Sequence, residues 1–99
     1  MSVIIDFSIF PMDKNEQSLS PYVARALDVI EKSGLAFELG PMGTSIEGEW
    51  DEVMGVVDAC YRELEKDSDR IYINVKADCR KGRKNGLSGK VLSAQEKQC

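Results

Sequence analysis

Residues 40 to 53, Gly-Pro-Met-Gly-Thr-Ser-Ile-Glu-Gly-Glu-Trp-Asp-Glu-Val, constrain the fold more than any other stretch. A short apolar run ends at Gly40, and a second one follows Gly43. Two glycines flanking Pro41 and Met42 predict a tight reversal, because Gly tolerates positive φ and Pro presets φ. The second run leads at once into acids and an apolar stripe of helical period. The stretch therefore reads as a β-hairpin whose second strand feeds directly into a long helix.

The rest of the chain supplies what such a hairpin needs to pack against. Residues 2 to 10 alternate with a period of two, Val3, Ile5, Phe7 and Ile9 against Ile4, Asp6, Ser8 and Phe10. They predict a strand that Pro11 ends, since Pro has no N–H to donate. Residues 12 to 19 read as a polar loop. Ser20 and Pro21 mark a helix start, with Ser20 as N-cap. Val23, Ala26, Leu27 and Ile30 then form one apolar stripe, and Gly34 ends a helix over about residues 21 to 33. Residues 36 to 39 and 43 to 48 are the hairpin strands. Phe37 and Leu39 share one face, as do Thr44, Ile46 and Gly48. A second helix over about residues 49 to 67 carries Trp50, Val53, Met54, Val57, Cys60 or Tyr61, and Leu64 toward the core. Its first-turn acids suit the helix dipole. A last strand over residues 70 to 78 alternates Ile71, Ile73, Val75 and Ala77 with Tyr72, Asn74, Lys76 and Asp78. Residues 80 to 90 read as a basic, mobile segment, and residues 93 to 98 as a short C-terminal turn opened by a capping box.

The order is βαββαβ within one domain over residues 1 to 99. Two helices with one apolar stripe each can cover one face of a four-stranded antiparallel sheet. This is the α+β, ferredoxin-like split βαβ arrangement. The reading places the first and third strands at the centre as a mutually parallel pair. It leaves the other sheet face bare, with Ile4, Asp6, Ser8, Phe10, Tyr72, Asn74, Lys76 and Asp78 on it, joined by Glu38, Ser45 and Glu47. That face is too polar for a second core and too rich in Ile, Phe and Tyr for plain solvent contact. It reads either as a self-association surface or as a platform for a small ligand.

Composition narrows the chemistry. The net charge of −4 argues against a dedicated nucleic-acid binder, and no apolar run is long enough to span a membrane. The N-terminus has no basic region of the kind a signal peptide carries. There is no His, and the three cysteines, Cys60, Cys79 and Cys99, are widely spaced. The usual zinc and haem sites and the Ser-His and Cys-His nucleophile arrangements are therefore not expected. Reduced thiols point to a cytoplasmic protein.

The polar groups each have two readings. Asp6, Ser8, Asn74 and Lys76 can orient a polar heterocycle, or form a solvated sheet face with cross-strand pairs. Glu47 can orient a ligand beside Lys76, or make a surface ion pair worth roughly 0–1 kcal/mol. Trp50 can stack on a ligand, but its place in the stripe reads as core. The loop after the first strand has no arginine, which counts against an acylphosphatase of the same element order.

The stretches Asp6-Phe7-Ser8-Ile9-Phe10-Pro11, Leu39-Gly40-Pro41-Met42-Gly43-Thr44, Ile46-Glu47-Gly48-Glu49 and Tyr72-Ile73-Asn74-Val75-Lys76 together resemble the MTH1187/YkoF-like family of small thiamine-binding proteins. The resemblance runs from Val3 to about Lys97. It implies a ferredoxin-like subunit of a homotetramer that assembles through the open sheet face. It also implies binding of thiamine or its hydroxymethylpyrimidine half with no catalysed reaction, as carrier, sensor or salvage accessory. Ser8, Thr44, Glu47 and Asn74 match polar positions of the family blocks. Phe10 and Ile46 are expected to give apolar contact, and a basic grip for a phosphate can come only from Lys76 or the basic tail. Alternation, however, puts Thr44 on the core side. An aminopyrimidine suits Asn74, Ser8 and a carboxylate, and a cationic thiazolium suits an acidic protein. Unphosphorylated thiamine is accordingly expected to bind better than its diphosphate. The other reading open at this point is an oligomeric interaction module with no small-molecule ligand.

Overall fold

A computed structural model describes residues 2–14 and 19–81. The expected turn over 93 to 98, Cys99 and all but the first residues of the basic segment lie outside the described residues. The elements are β1 (Ser2–Pro11), α1 (Ser20–Lys32), β2 (Ala36–Leu39), β3 (Thr44–Gly48), α2 (Trp50–Glu65) and β4 (Ile71–Arg80). They form a four-stranded antiparallel sheet of order β2-β3-β1-β4, with both helices on one face.

The central pair is β1 and β3, as expected, but it is antiparallel rather than parallel. The reason is connective. The tight turn makes β3 run against β2, and β3 also pairs antiparallel with β1, so the parallel relationship falls to β1 and β2. Val3, Ile5, Phe7 and Ile9 of β1 and Ile46 of β3 point into the helix layer. There they meet Tyr22, Ala26 and Ile30 of α1 and Val53, Val56, Cys60 and Leu64 of α2.

Three local expectations are corrected. The buried stripe of α1 runs through Tyr22, Ala26 and Ile30, one residue round from the stripe read off the sequence, and Val23 is 43 % exposed. Its N-cap is Leu19, whose carbonyl accepts from the N–H groups of Tyr22 and Val23, so Ser20 is the first helical residue. Trp50 is half exposed at the first helical position of α2, beyond the end of the covered stripe.

Glycine chemistry also differs from the expectation. Among the described glycines only Gly34 has a positive φ, 76°, where it ends α1. Gly40 and Gly43 are needed instead for close approach: a Cβ on Gly40 would stand 3.0 Å from the carbonyl oxygen of Gly43. The Gly40 N–H donates to that same oxygen at 2.8 Å and closes the turn.

One end of the sandwich is tied by polar contacts. The Asp13 carboxylate accepts from the Ser68 hydroxyl and the Asp69 N–H, both at 2.6 Å. The Arg25 guanidinium bridges Glu63 at 3.3 Å and Asp67 at 2.9 Å, joining α1 to the end of α2 and the loop behind it.

Candidate functional site

The site arises from unequal strand lengths. β1 has ten residues and β3 has five, and β3 pairs only with Val3–Phe7. Beyond Phe7, the edge of β1 that faces β3 has no strand on it. The turn 40–43 and one side of α1 flank the gap, and β4 continues along the far edge of β1. The result is a cleft of about 570 Å³ that reaches from the helix layer to the open sheet face. Its size lies within the roughly 300–1,000 Å³ of small-molecule sites.

The two sides of the cleft differ in chemistry. On the open-face side stand Asp6, Ser8 and Phe10 of β1 with Asn74 and Lys76 of β4. Register makes Asp6 the direct partner of Lys76, Ser8 of Asn74 and Phe10 of Tyr72. Phe10 and Tyr72 stack across the strands. On the helix side Val23 and Leu27 of α1 face Leu39 and Met42. These α1 residues were expected in the core. The one-residue rotation of the buried stripe frees them to form a wall.

The side chains of Asp6, Ser8, Asn74 and Lys76 form no hydrogen bond or ion pair among the described residues. Thr44, the first residue of β3, is 7 % exposed and also lines the cleft. Its hydroxyl has no hydrogen-bond partner among the described residues. Leaving a buried hydroxyl unpaired costs about 1–3 kcal/mol, so this group suits a contact made from the cleft. Thr44 is thus both on the core side and at the seam, because β3 starts there.

The structure therefore brings together Ser8, Phe10, Thr44, Asn74 and Lys76 of the residues expected from the sequence. It does not bring Ile46 or Glu47 to them. Ile46 is fully buried opposite Ile5 and has no surface to offer a ligand in this subunit. Glu47 pairs with Ile4, and its carboxylate accepts from the Ser2 hydroxyl at 2.9 Å. Ile4 is four residues from Ser8, roughly 13 Å along a strand at ~3.3 Å per residue. The carboxylate that the cleft does hold is Asp6. The alternation of β1 had placed Asp6 on this face. The apolar wall from α1 was missed, although Tyr22, Val23, Ala26, Leu27, Val29 and Ile30 are more apolar positions than a single buried stripe requires.

Among the described residues no group of three or more His, Cys, Asp or Glu side chains is placed to hold a metal. No helix there is long and apolar enough to cross a membrane. Cys60 lies in the core, and burial pushes its thiol up to about 11.

Fold and cleft together define a ferredoxin-like α+β protein with a half-polar, half-apolar pocket opening at the edge of its sheet. The chain belongs to the thiamine-binding protein family, whose model matches residues 5–95. It is 36 % identical over 97 residues to a UPF0045 protein of Methanothermobacter thermautotrophicus, covering 96 % of this chain and 98 % of that one. A crystal structure of a hypothetical protein from Methanocaldococcus jannaschii superposes with a TM-score of 0.86 at 33 % identity, covering 96 % of this chain and 97 % of that one. A candidate thiamine biosynthesis or salvage protein of Thermotoga maritima superposes with a TM-score of 0.83 at 26 % identity, covering 95 % and 99 %.

Proposed function

We propose that the protein binds thiamine or its hydroxymethylpyrimidine moiety in this cleft, without catalysing a reaction, as a carrier, sensor or salvage accessory. The observation that carries the reading is the set of uncommitted polar groups, Asp6, Ser8, Thr44, Asn74 and Lys76, facing an apolar wall from α1. An aminopyrimidine presents ring nitrogens that accept and an amino group that donates. Asn74 and Ser8 can do both, and Asp6 accepts. The Phe10–Tyr72 stack beside them offers an aromatic surface to a heterocycle or a cation. A cytoplasmic homotetramer assembled through the rest of the open face belongs to the same proposal. A carboxylate at Glu47 enters the site only if assembly brings it to a neighbouring subunit's cleft.

Isothermal titration of refolded, ligand-stripped protein with thiamine, its phosphates and hydroxymethylpyrimidine tests the reading. Saturable binding of one of them, abolished by Asn74→Ala in a protein of unchanged assembly, is the expected result. Absence of heat with all of them overturns it and favours an interaction module. The half-exposed apolar row of β4, with Ile73 38 % exposed at the sheet edge, is the observation that favours that second reading.

A further inference from the structure

Two charged side chains line the cleft among the described residues, Asp6 and Lys76. They face each other across β1 and β4, yet they form no ion pair there. The two differ in reach. Lys76 is exposed on an edge strand, and its long stem lets the ammonium turn to solvent. Asp6 is short and sits on a central strand beside the turn. A Cβ on Gly43 would stand 3.0 Å from the Asp6 Oδ1 and 3.1 Å from the Phe7 carbonyl oxygen. The backbone carbonyl cannot swing aside, so a side chain at position 43 would be accommodated by a shift of the Asp6 carboxylate. The turn and the carboxylate are one device: the glycine clears the space that Asp6 fills.

We propose that Asp6 is the specificity-determining residue of the cleft, with Gly43 as its positioning residue. It selects an amine-bearing or cationic heterocycle and disfavours phosphorylated ligands. The inference rests on the small-molecule reading of the cleft given above. A carboxylate accepts hydrogen bonds and donates none, so it rewards N–H groups and positive charge. A ligand phosphate placed near it is repelled. Rejection of the wrong ligand is thereby built into the same atom that attracts the right one.

The test is calorimetric titration of wild type, Asp6→Asn, Gly43→Ala and the control Asp51→Asn, whose carboxylate is exposed in the first turn of α2, just after the end of β3 that pairs with Val3. The probes are thiamine, thiamine monophosphate, hydroxymethylpyrimidine and the cation 4-aminopyridinium. Wild type is expected to prefer thiamine over its monophosphate. Asp6→Asn is expected to weaken thiamine at least ~10-fold and to narrow that preference at least ~5-fold. Gly43→Ala moves both in the same direction, and Asp51→Asn moves neither. Thiamine binding with unchanged preference in Asp6→Asn overturns the assignment and leaves the thiamine reading standing. Asp6-dependent binding of 4-aminopyridinium by a wild type that ignores the three thiamine compounds does the reverse. Silence with every probe overturns both.

Discussion

The ring of Phe10 on β1 lies over that of Tyr72 on β4, with centroids 5.3 Å apart and planes 22° from parallel. The pair sits one same-face step beyond the Ser8–Asn74 pair, at the point where β1 has outrun β3. It occupies the open face rather than the core. Tyr72 is 49 % exposed there, so the stack is a surface held ready rather than one already covered.

Truncating that stack separates stability from binding. Tyr72→Ala is expected to cost about 0.5–1.5 kcal/mol of stability, the range of an aromatic pair. Ligand affinity is expected to fall more steeply, by ~10-fold or more, because the aromatic platform goes with it. Denaturant titration and calorimetry on the same preparation check both numbers. A loss of stability with undiminished affinity would remove the pair from the site.

Ile46 provides the opposite case. It is fully enclosed between sheet and helices, so Ile46→Val removes one methylene from the core. The expected cost is about 0.5–1.5 kcal/mol in urea unfolding, with ligand affinity unchanged. A selective loss of affinity would return Ile46 to the binding residues.

Acid should loosen the end of the sandwich where β1 leaves the sheet and β4 enters it. The Ser68 hydroxyl holds the Asp13 carboxyl below its ordinary 3.8, with help from the Asp69 N–H. Hydrogen bonds from Arg25 do the same for Asp67, and Lys66 followed by Arg25 lowers Glu63 from its ordinary 4.5. Depressed folded-state values mean that the unfolded chain takes up protons first. The stabilisation is therefore complete above about pH 4.5 and is lost as pH falls below that toward the folded values. Urea midpoints measured from pH 7 to pH 3 should fall, and Arg25→Gln should lower the neutral midpoint while flattening the acid slope.

Cys60 should behave as a masked thiol. Its side chain donates to the Ala26 carbonyl oxygen at 3.6 Å, and burial raises its value from 9.0 to about 11. A raised thiol value contributes stability below pH 9 and loses it as pH rises toward 11. In the variant Cys79→Ser, Cys99→Ser, a disulfide reagent at pH 8 should label Cys60 only at the rate of unfolding. Prompt labelling in the native state would show that the α1–α2 contact opens locally.

Much of the architecture was legible because it depends on local periodicity. The strict alternation of Val3 to Phe10 and of Ile71 to Asp78 assigned both faces of β1 and β4, and the pairing register agrees residue by residue, although Ile4, read as lying on a bare face, is buried. Gly40 and Gly43 marked the turn, although for reasons of space rather than of φ. The open-face members of the site, Asp6, Ser8, Phe10, Asn74 and Lys76, follow from that alternation together with the family resemblance. What a one-dimensional pattern could not supply was the angle at which a helix rests. A helix with seven apolar positions can be laid down on more than one stripe. Packing against Phe7, Ile9 and α2 chose Tyr22, Ala26 and Ile30, and so handed Val23 and Leu27 to the cleft. Strand-end offsets were equally hidden. Only the pairing of a five-residue β3 with a ten-residue β1 opens the gap, buries Thr44 at its rim, seals Ile46 inside and carries Glu47 to the far end. Hydrophobic periodicity determines which face a residue takes, while the distances along and between elements are decided by packing, and a binding site is made of those distances.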